Sequence, residues 1–122
     1  MPKVARRLVV LAVLATAIAL VVASVTSAAT SLKLSASKTA LKFNKRTLRA
    51  SRGKVTIVMT NPSSTKHAIA IEGKGIDKDG KTVGKNGTSR VTVTLKKKGT
   101  YTFYCPVDGH EDAGMKGKLI VS

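Results

Sequence analysis

The chain has 122 residues, enough for one domain with its own core, and it carries a formal net charge of +16. That charge indicates attraction to polyanions such as phosphate-rich wall polymers, anionic lipid headgroups or an acidic partner. Nucleic acid is excluded as a partner, because the chain has no Trp, only two Tyr and two Phe, and no Arg-rich run. A single Cys rules out an internal disulfide, which leaves intermolecular pairing, reactivity or metal ligation to explain the thiol.

The N-terminal residues have the pattern of an export signal. A basic start precedes an apolar run over residues 8–25, and small residues follow it. We therefore predict a signal peptide over residues 1–29, with a hydrophobic helix and cleavage near Ala28 or Ala29. A retained membrane anchor is the alternative, since the run lies at the short end of what spans a bilayer. The export route, general or twin-arginine, stays open. The basic residues are Lys3, Arg6 and Arg7.

These features predict an exported protein, located in the periplasm, in the cell envelope or outside the cell. Its mature domain covers residues 30–122, and without the three N-terminal basic residues its net charge falls from +16 to +13. A domain of this size can fold alone with modest stability. We expect a monomer that associates electrostatically with an anionic cell wall or membrane surface.

Short segments of alternating apolar and polar residues dominate the mature domain. The clearest is K-V-T-I-V-M-T-N, in which Val55, Ile57 and Met59 share the face that we assign to the core. Turn residues separate these segments, and no long segment has a helical period. The pattern predicts an all-β protein, a Greek-key β-sandwich of six to eight strands, with a five-stranded barrel as the alternative. The other predicted strands lie within residues 31–37, 40–50, 67–73, 91–95, 100–105 and 116–122.

Residues 73–87 are rich in Gly and Lys, and we predict a mobile surface loop there. Its Asp-Lys-Asp-Gly sequence lacks the third acidic position and the closing Glu of a calcium loop. That sequence therefore indicates a turn rather than a cation site.

The stretch Y-C-P-V-D-G-H-E-D-A-G-M concentrates residues that bind soft metals. Cys105, His110 and Met115 are spaced C-x4-H-x4-M between two predicted strands. His67 begins a separate strand, which a sandwich can bring to the same end. Two His, one Cys and a weak Met are the ligand set of a blue-copper electron-transfer centre, because thiolate and thioether suit Cu(I). Zinc is the competing metal, and a Met ligand argues against it.

The segments N-P-S-S-T-K-H-A-I-A-I-E-G and G-T-Y-T-F-Y-C-P-V-D-G-H-E-D-A-G-M-K-G-K-L-I-V resemble the plastocyanin/azurin-type cupredoxin family. The resemblance covers essentially the whole mature domain. It implies the cupredoxin fold and one copper ion per chain, Cu(I) or Cu(II). It also implies that partner redox proteins dock near His110. The ligands that it implies are His67, Cys105, His110 and Met115.

One position departs from the family pattern. Many members have Asn after the first ligand histidine, and its side chain ties the two ligand loops together, whereas this chain has Ala68. Thr65 and Ser64 are the candidates to replace that tie. The backbone N–H of Ala68 can still reach the Cys sulfur, and Val107 offers a second N–H. We expect such bonds to raise the reduction potential.

We therefore predict an exported blue copper protein that carries single electrons and is not an enzyme. An oxidase or nitrite reductase needs a second copper site, and no further histidines remain. A copper carrier or buffer without a redox role is the alternative. Asp108, Glu111 and Asp112 lie in the ligand loop. These acids either dock the loop against a basic patch on the redox partner or only keep it soluble.

Overall fold

The structure is a computed structural model that describes residues 12–22 and 29–122. Eight strands account for its regular secondary structure, and residues 29–122 contain all of them. The strands are β1 (Thr30–Ser35), β2 (Thr47–Ala50), β3 (Gly53–Asn61), β4 (Ala70–Gly73), β5 (Ile76–Asp79), β6 (Gly87–Leu95), β7 (Gly99–Tyr104) and β8 (Lys116–Val121).

The strands form two sheets, one of three strands in the order β1-β3-β6 and one of five in the order β2-β8-β7-β4-β5. β1 pairs parallel with β3, β2 pairs parallel with β8, and the other pairs are antiparallel. The chain crosses from one sheet to the other between β1 and β2, between β2 and β3, between β3 and β4, and again before and after β6. The predicted all-β sandwich of six to eight strands is thus confirmed, with eight strands, and the five-stranded barrel is not formed.

The core lies between the sheets and follows the predicted alternation. On β3, Val55, Ile57 and Met59 are fully buried, and the residues between them face outward. On β7, Tyr101 and Phe103 are buried on the same side. Alternation of this kind places one face of each strand against the other sheet, and burial of these apolar side chains is the main stabilising contribution. The assignment of Met59 to the core is confirmed.

The two ends of the sandwich differ. At one end, β3 and β7 end and β4, β6 and β8 begin. The strand pairing shows this, because Asn61 pairs with Gly87, and Tyr104 pairs with both Ala70 and Lys116. We call this the site end, because the loops that carry the predicted ligands start there. The opposite end holds the β6–β7 turn and the start of β3.

Residues 73–87 are not the mobile loop that we predicted. β5 lies within them and pairs with β4, and Val83 forms a bridge with His67. The prediction was wrong because β5 has only one apolar residue, the half-buried Ile76. Its sequence therefore lacks the alternation of apolar and polar residues that would indicate a strand.

The predicted N-terminal helix is not present over residues 12–22, which have no regular secondary structure. Their large apolar side chains, such as Val13 and Leu20, are exposed. Most helical stability comes from packing of an apolar face, and the exposed side chains of this segment make no such packing. Residues 1–11 and 23–28, which complete the predicted signal, lie outside the described residues, so the boundary at residue 29 stays a prediction. No helix in the described ranges is long and apolar enough to span a membrane.

Candidate metal centre

Three of the predicted ligands converge at the site end. Cys105 follows β7 directly, His110 lies in the loop before β8, and His67 lies shortly before β4. The Nδ1 atoms of the two histidines are 3.2 Å apart, and the Sγ atom of Cys105 is 3.5 Å from Nδ1 of His110 and 3.9 Å from that of His67. All three side chains are buried. Segments far apart in sequence thus bring two imidazoles and a thiol to one point.

The loop after β7 is closed by its own backbone. The N–H of Cys105 donates to the carbonyl of Met115 at 3.0 Å, and the N–H of Met115 donates to the carbonyl of His110 at 3.0 Å. Gly109 and Gly114 have φ values of 76° and 107°, a region that favours glycine. This folding turns Met115 inward, where it is fully buried in the same core cluster as Cys105. The C-x4-H-x4-M spacing is therefore a compact ligand loop.

His67 is held by the backbone of Val83. Its N–H donates to the carbonyl of Val83 at 3.1 Å, and its carbonyl accepts from the N–H of Val83 at 2.8 Å. One residue beyond Ala68, the N–H of Ile69 donates to the hydroxyl of the buried Ser89 at 3.3 Å. The segment that carries this ligand is thereby fixed to the β5–β6 connection and to β6.

The buried side chain of Asn61 organises the turn that leads to His67. Its Nδ2 donates to the carbonyls of Thr65 at 2.8 Å and Val83 at 3.0 Å. Its Oδ1 accepts from the N–H of Ser63 at 3.0 Å and from the hydroxyl of Ser63 at 2.8 Å. Asn61 thus fixes the turn before His67 to the β5–β6 connection, but none of these four bonds reaches the loop after β7, so Asn61 does not replace the tie between the two ligand loops.

Asn61 was not among the residues that the sequence indicated. Ser64 and Thr65 were the candidates for the missing tie, but Ser64 is exposed and Thr65 takes part through its backbone carbonyl. The available signal was the position of Asn61 in the alternation of β3, where it continues the buried face of Met59. A polar residue in that register needs buried hydrogen-bond partners.

The thiol sulfur has one backbone donor. The N–H of Ala68 lies 3.5 Å from Sγ of Cys105, as predicted. Within residues 29–122, the second bond considered from Val107 is not formed. A thiolate that accepts a hydrogen bond from a fixed backbone amide is held in place and has its electron density tuned.

These residues fit a metal ion. Metal–nitrogen bonds of about 2.0 Å and a metal–sulfur bond of about 2.3 Å in one plane separate the ligand atoms by about 3.5 to 3.8 Å. The observed separations of 3.2, 3.5 and 3.9 Å bracket that range. Burial, and next the neighbouring His110, lower the pKa of His67, which favours the neutral imidazole that a metal requires.

Acidic side chains gather beside the site around Tyr104. Its hydroxyl donates to Asp77 at 2.9 Å and lies 3.5 Å from Asp79, and burial and Asp77 raise its pKa. Burial and the neighbouring Glu72 likewise raise the pKa of Glu111. Acidic residues outside the ligand loop therefore also lie beside the site. We define the acidic cluster as Glu72, Asp77, Asp79, Glu111 and Asp112.

Comparison with solved structures finds the same fold in blue copper proteins. Reduced auracyanin from Roseiflexus castenholzii superposes with a TM-score of 0.69 at 22% identity, over 79% of this chain and 99% of that chain. Auracyanin A, a blue copper protein from Chloroflexus aurantiacus, gives 0.68 at 23% identity, over 78% of this chain and 100% of that chain. A search of curated protein sequences finds no match.

The same fold also occurs as part of an enzyme. The copper nitrite reductase from Nitrosomonas europaea superposes with a TM-score of 0.65 at 20% identity, over 78% of this chain but 42% of that chain. At such identities the structural likeness establishes the fold alone. Residues 30–122 match the family of copper binding proteins described as the plastocyanin/azurin family. The chain is therefore a member of this copper-binding family, and its cofactor is one copper ion per chain.

Proposed function

We propose that the protein is an exported one-electron carrier whose copper is held by His67, Cys105 and His110, with Met115 as a weak fourth ligand. The observation that carries this proposal is the buried triangle of two Nδ1 atoms and one Sγ atom, with edges of 3.2, 3.5 and 3.9 Å. Copper bound in such a His-His-Cys set exchanges one electron between Cu(I) and Cu(II).

The protein's own contribution is rigidity. The Ala68 N–H holds the sulfur, the Val83 backbone holds His67, and the closed loop holds His110. Ligands that keep their places in both oxidation states let the electron move with little rearrangement of the site. A ligand loop that opened readily would instead suit copper delivery.

His110 is the ligand through which we expect electrons to leave. It is 9% exposed, whereas His67 is 1% exposed and Cys105 is fully buried. A partner that docks on the site end therefore comes nearest to the copper through the His110 ring.

The acidic cluster gives that docking surface its charge. Glu111 and Asp112 lie directly after His110 in a domain whose net charge is +13, so we propose a redox partner with a basic patch. Attraction of this kind raises association rates chiefly at low salt. These acids are partly or fully exposed and therefore available to a partner.

The docking proposal is tested by electron-transfer kinetics with a basic redox protein at low and high salt. Glu111→Gln with Asp112→Asn should lower the second-order rate, and added salt should remove the difference. The matched control is Ser51→Lys with Thr94→Lys, which adds the same charge at exposed positions of the opposite end. An equal loss in both double variants would mean that net charge alone, and not this surface, sets the rate.

The carrier proposal is separated from copper delivery by voltammetry and by copper transfer. A shuttle gives a reversible one-electron couple and keeps its copper when a soluble chelator is present. If the protein instead loses its copper readily to the chelator and shows no reversible couple, its function is copper delivery and not electron transfer. We propose no catalytic activity, because a nitrite reductase or oxidase needs a second copper site and both histidines already belong to this one.

A further inference from the structure

We propose that the end of the sandwich opposite the copper centre is a membrane-facing surface that binds anionic lipid headgroups. The proposal rests on the proposed export of the protein, and it adds which face meets the membrane and how the copper is then oriented. We call this surface the basic pole. Its exposed residues are Arg52, Lys54, Lys74, Lys96, Lys97 and Lys98.

The fold, rather than the local sequence, assembles the basic pole. The register of β3 with β6 pairs Gly53 with Leu95, so Lys54 lies beside the turn that begins with Lys96. The β4–β5 turn arrives from the other sheet, where the Nζ atom of Lys74 lies within 2.8 Å of the position that a Cβ on Gly99 would take. Three separate segments thereby place like charges side by side.

The acidic residues that the fold brings near these charges are Glu72 and Asp77, which pair with each other next to the β4–β5 turn. The chain has six Asp and Glu in total. Five form the acidic cluster around Tyr104, and the sixth, Asp108, lies in the ligand loop at the site end. Clustered like charges destabilise a folded domain unless an oppositely charged surface faces them. An anionic bilayer is such a surface, and its potential attracts basic segments close to the membrane.

The N-terminal chain enters the domain at the same end. β1 runs parallel to β3 with Thr30 opposite Val55, so the chain reaches the first strand beside the basic pole. The apolar run over residues 8–25 lies directly before this point in the sequence. Where this run is retained as an anchor, the alternative to cleavage, it adjoins the basic pole in sequence, and that combination favours a lipid bilayer over a wall polymer, which has no apolar interior.

The copper centre then faces away from the membrane. β3 has nine residues from the basic pole to Asn61, and the spacings between the first and the last of them, at about 3.3 Å each, add up to roughly 26 Å. The Debye length at physiological salt is about 8 Å, so the charges at the two ends act independently. The basic pole can lie on lipid while His110 and the acidic cluster stay free to meet a partner.

The test compares two triple variants of the full chain that have the same net charge. Lys96, Lys97 and Lys98 are changed to Gln at the basic pole. This leaves intact the bond from the Tyr101 hydroxyl to the Lys97 carbonyl, because that bond involves the backbone. The control changes three exposed lysines that lie near the site end. They are Lys38, Lys42 and Lys85.

Binding is measured by co-sedimentation with vesicles of phosphatidylcholine alone and with added phosphatidylglycerol. One basic residue near an anionic surface strengthens adsorption about fivefold, so the pole variant should lose at least about tenfold on anionic vesicles. The control variant should lose less than about threefold, since its lysines face away from the bilayer. On neutral vesicles all three proteins should bind equally, because only the apolar segment acts there.

Equal losses in the two variants, or no loss in the pole variant, would overturn the proposal. Loss of binding to soluble polyphosphate with unchanged vesicle binding would assign the basic pole to wall polymers instead. The visible copper spectrum of each variant is recorded on the same samples. An unaltered spectrum in unsubstituted protein that does not bind anionic vesicles would refute the membrane surface and leave the copper centre intact.

Discussion

Replacing Asn61 with Ala should destabilise the fold and weaken copper binding together. The side chain makes four hydrogen bonds, which at about 0.5–1.5 kcal/mol each would sum to several kcal/mol. In the variant, two carbonyls that lose the Asn61 side chain still accept another hydrogen bond. The carbonyl of Thr65 accepts from the Ser63 hydroxyl, and the carbonyl of Val83 accepts from the N–H of His67. Only the N–H of Ser63 loses its sole partner. We therefore expect a loss of about 2–3 kcal/mol in the free energy of unfolding.

The assay is urea unfolding of the copper-free protein followed by copper titration. A loss of that size should lower the urea midpoint by roughly 1–2 M, since a small domain loses about 1–3 kcal/mol of stability per molar urea. Copper affinity should fall by about 10- to 100-fold, as is typical when a group that supports a ligand is removed. The matched control is Asn44→Ala, which removes one exposed hydrogen bond to the Ser35 N–H, at 2.8 Å.

Asn44→Ala should change neither quantity by more than a small fraction of the Asn61 effect. Unchanged copper affinity in a destabilised Asn61→Ala protein would refute the reasoning. Asn61 would then stabilise the turn without positioning His67.

Gly117→Ala should cost about 1–3 kcal/mol in unfolding free energy, because a Cβ there would overlap the Phe103 ring, whereas Gly84→Ala meets no atom and should be neutral. Equal stability of these two variants by denaturant unfolding would contradict the packing. Copper at about 100 times its dissociation constant should add roughly 2.7 kcal/mol of stability, measured by thermal unfolding, and Cys105→Ser should abolish most of that gain. Met115→Leu should keep the blue absorption but shift the reduction potential measured by voltammetry, and an unshifted potential would remove Met115 from the ligand set.

Most of the sandwich could be predicted because its long strands alternate cleanly. In β3, Val55, Ile57 and Met59 alternate with outward residues, and that pattern locates both the strand and the core. β5 could not be predicted in this way. It is a short edge strand with one apolar residue, and its place is set by pairing with β4 rather than by its own burial.

The candidate site, like the fold, could be predicted only in part from the sequence. The spacing of the residues after β7 pointed to copper, because few arrangements put Cys, His and Met so close in one loop. The role of Asn61 stayed hidden, since its partners are backbone groups of Thr65 and Val83 that only the folded chain brings near. The spatial grouping of Glu72 with Glu111 likewise depends on neighbouring elements, and no sequence window contains both.

The most direct test of the copper centre is the visible and EPR spectrum of copper-loaded protein, with Cys105→Ser as the control. We predict intense blue absorption from a copper–thiolate bond, the EPR signal of a type 1 site in the oxidised protein, and loss of both in Cys105→Ser. Copper that binds without blue absorption, or with a spectrum that Cys105→Ser leaves unchanged, would show that the triangle of His67, Cys105 and His110 is not the redox centre.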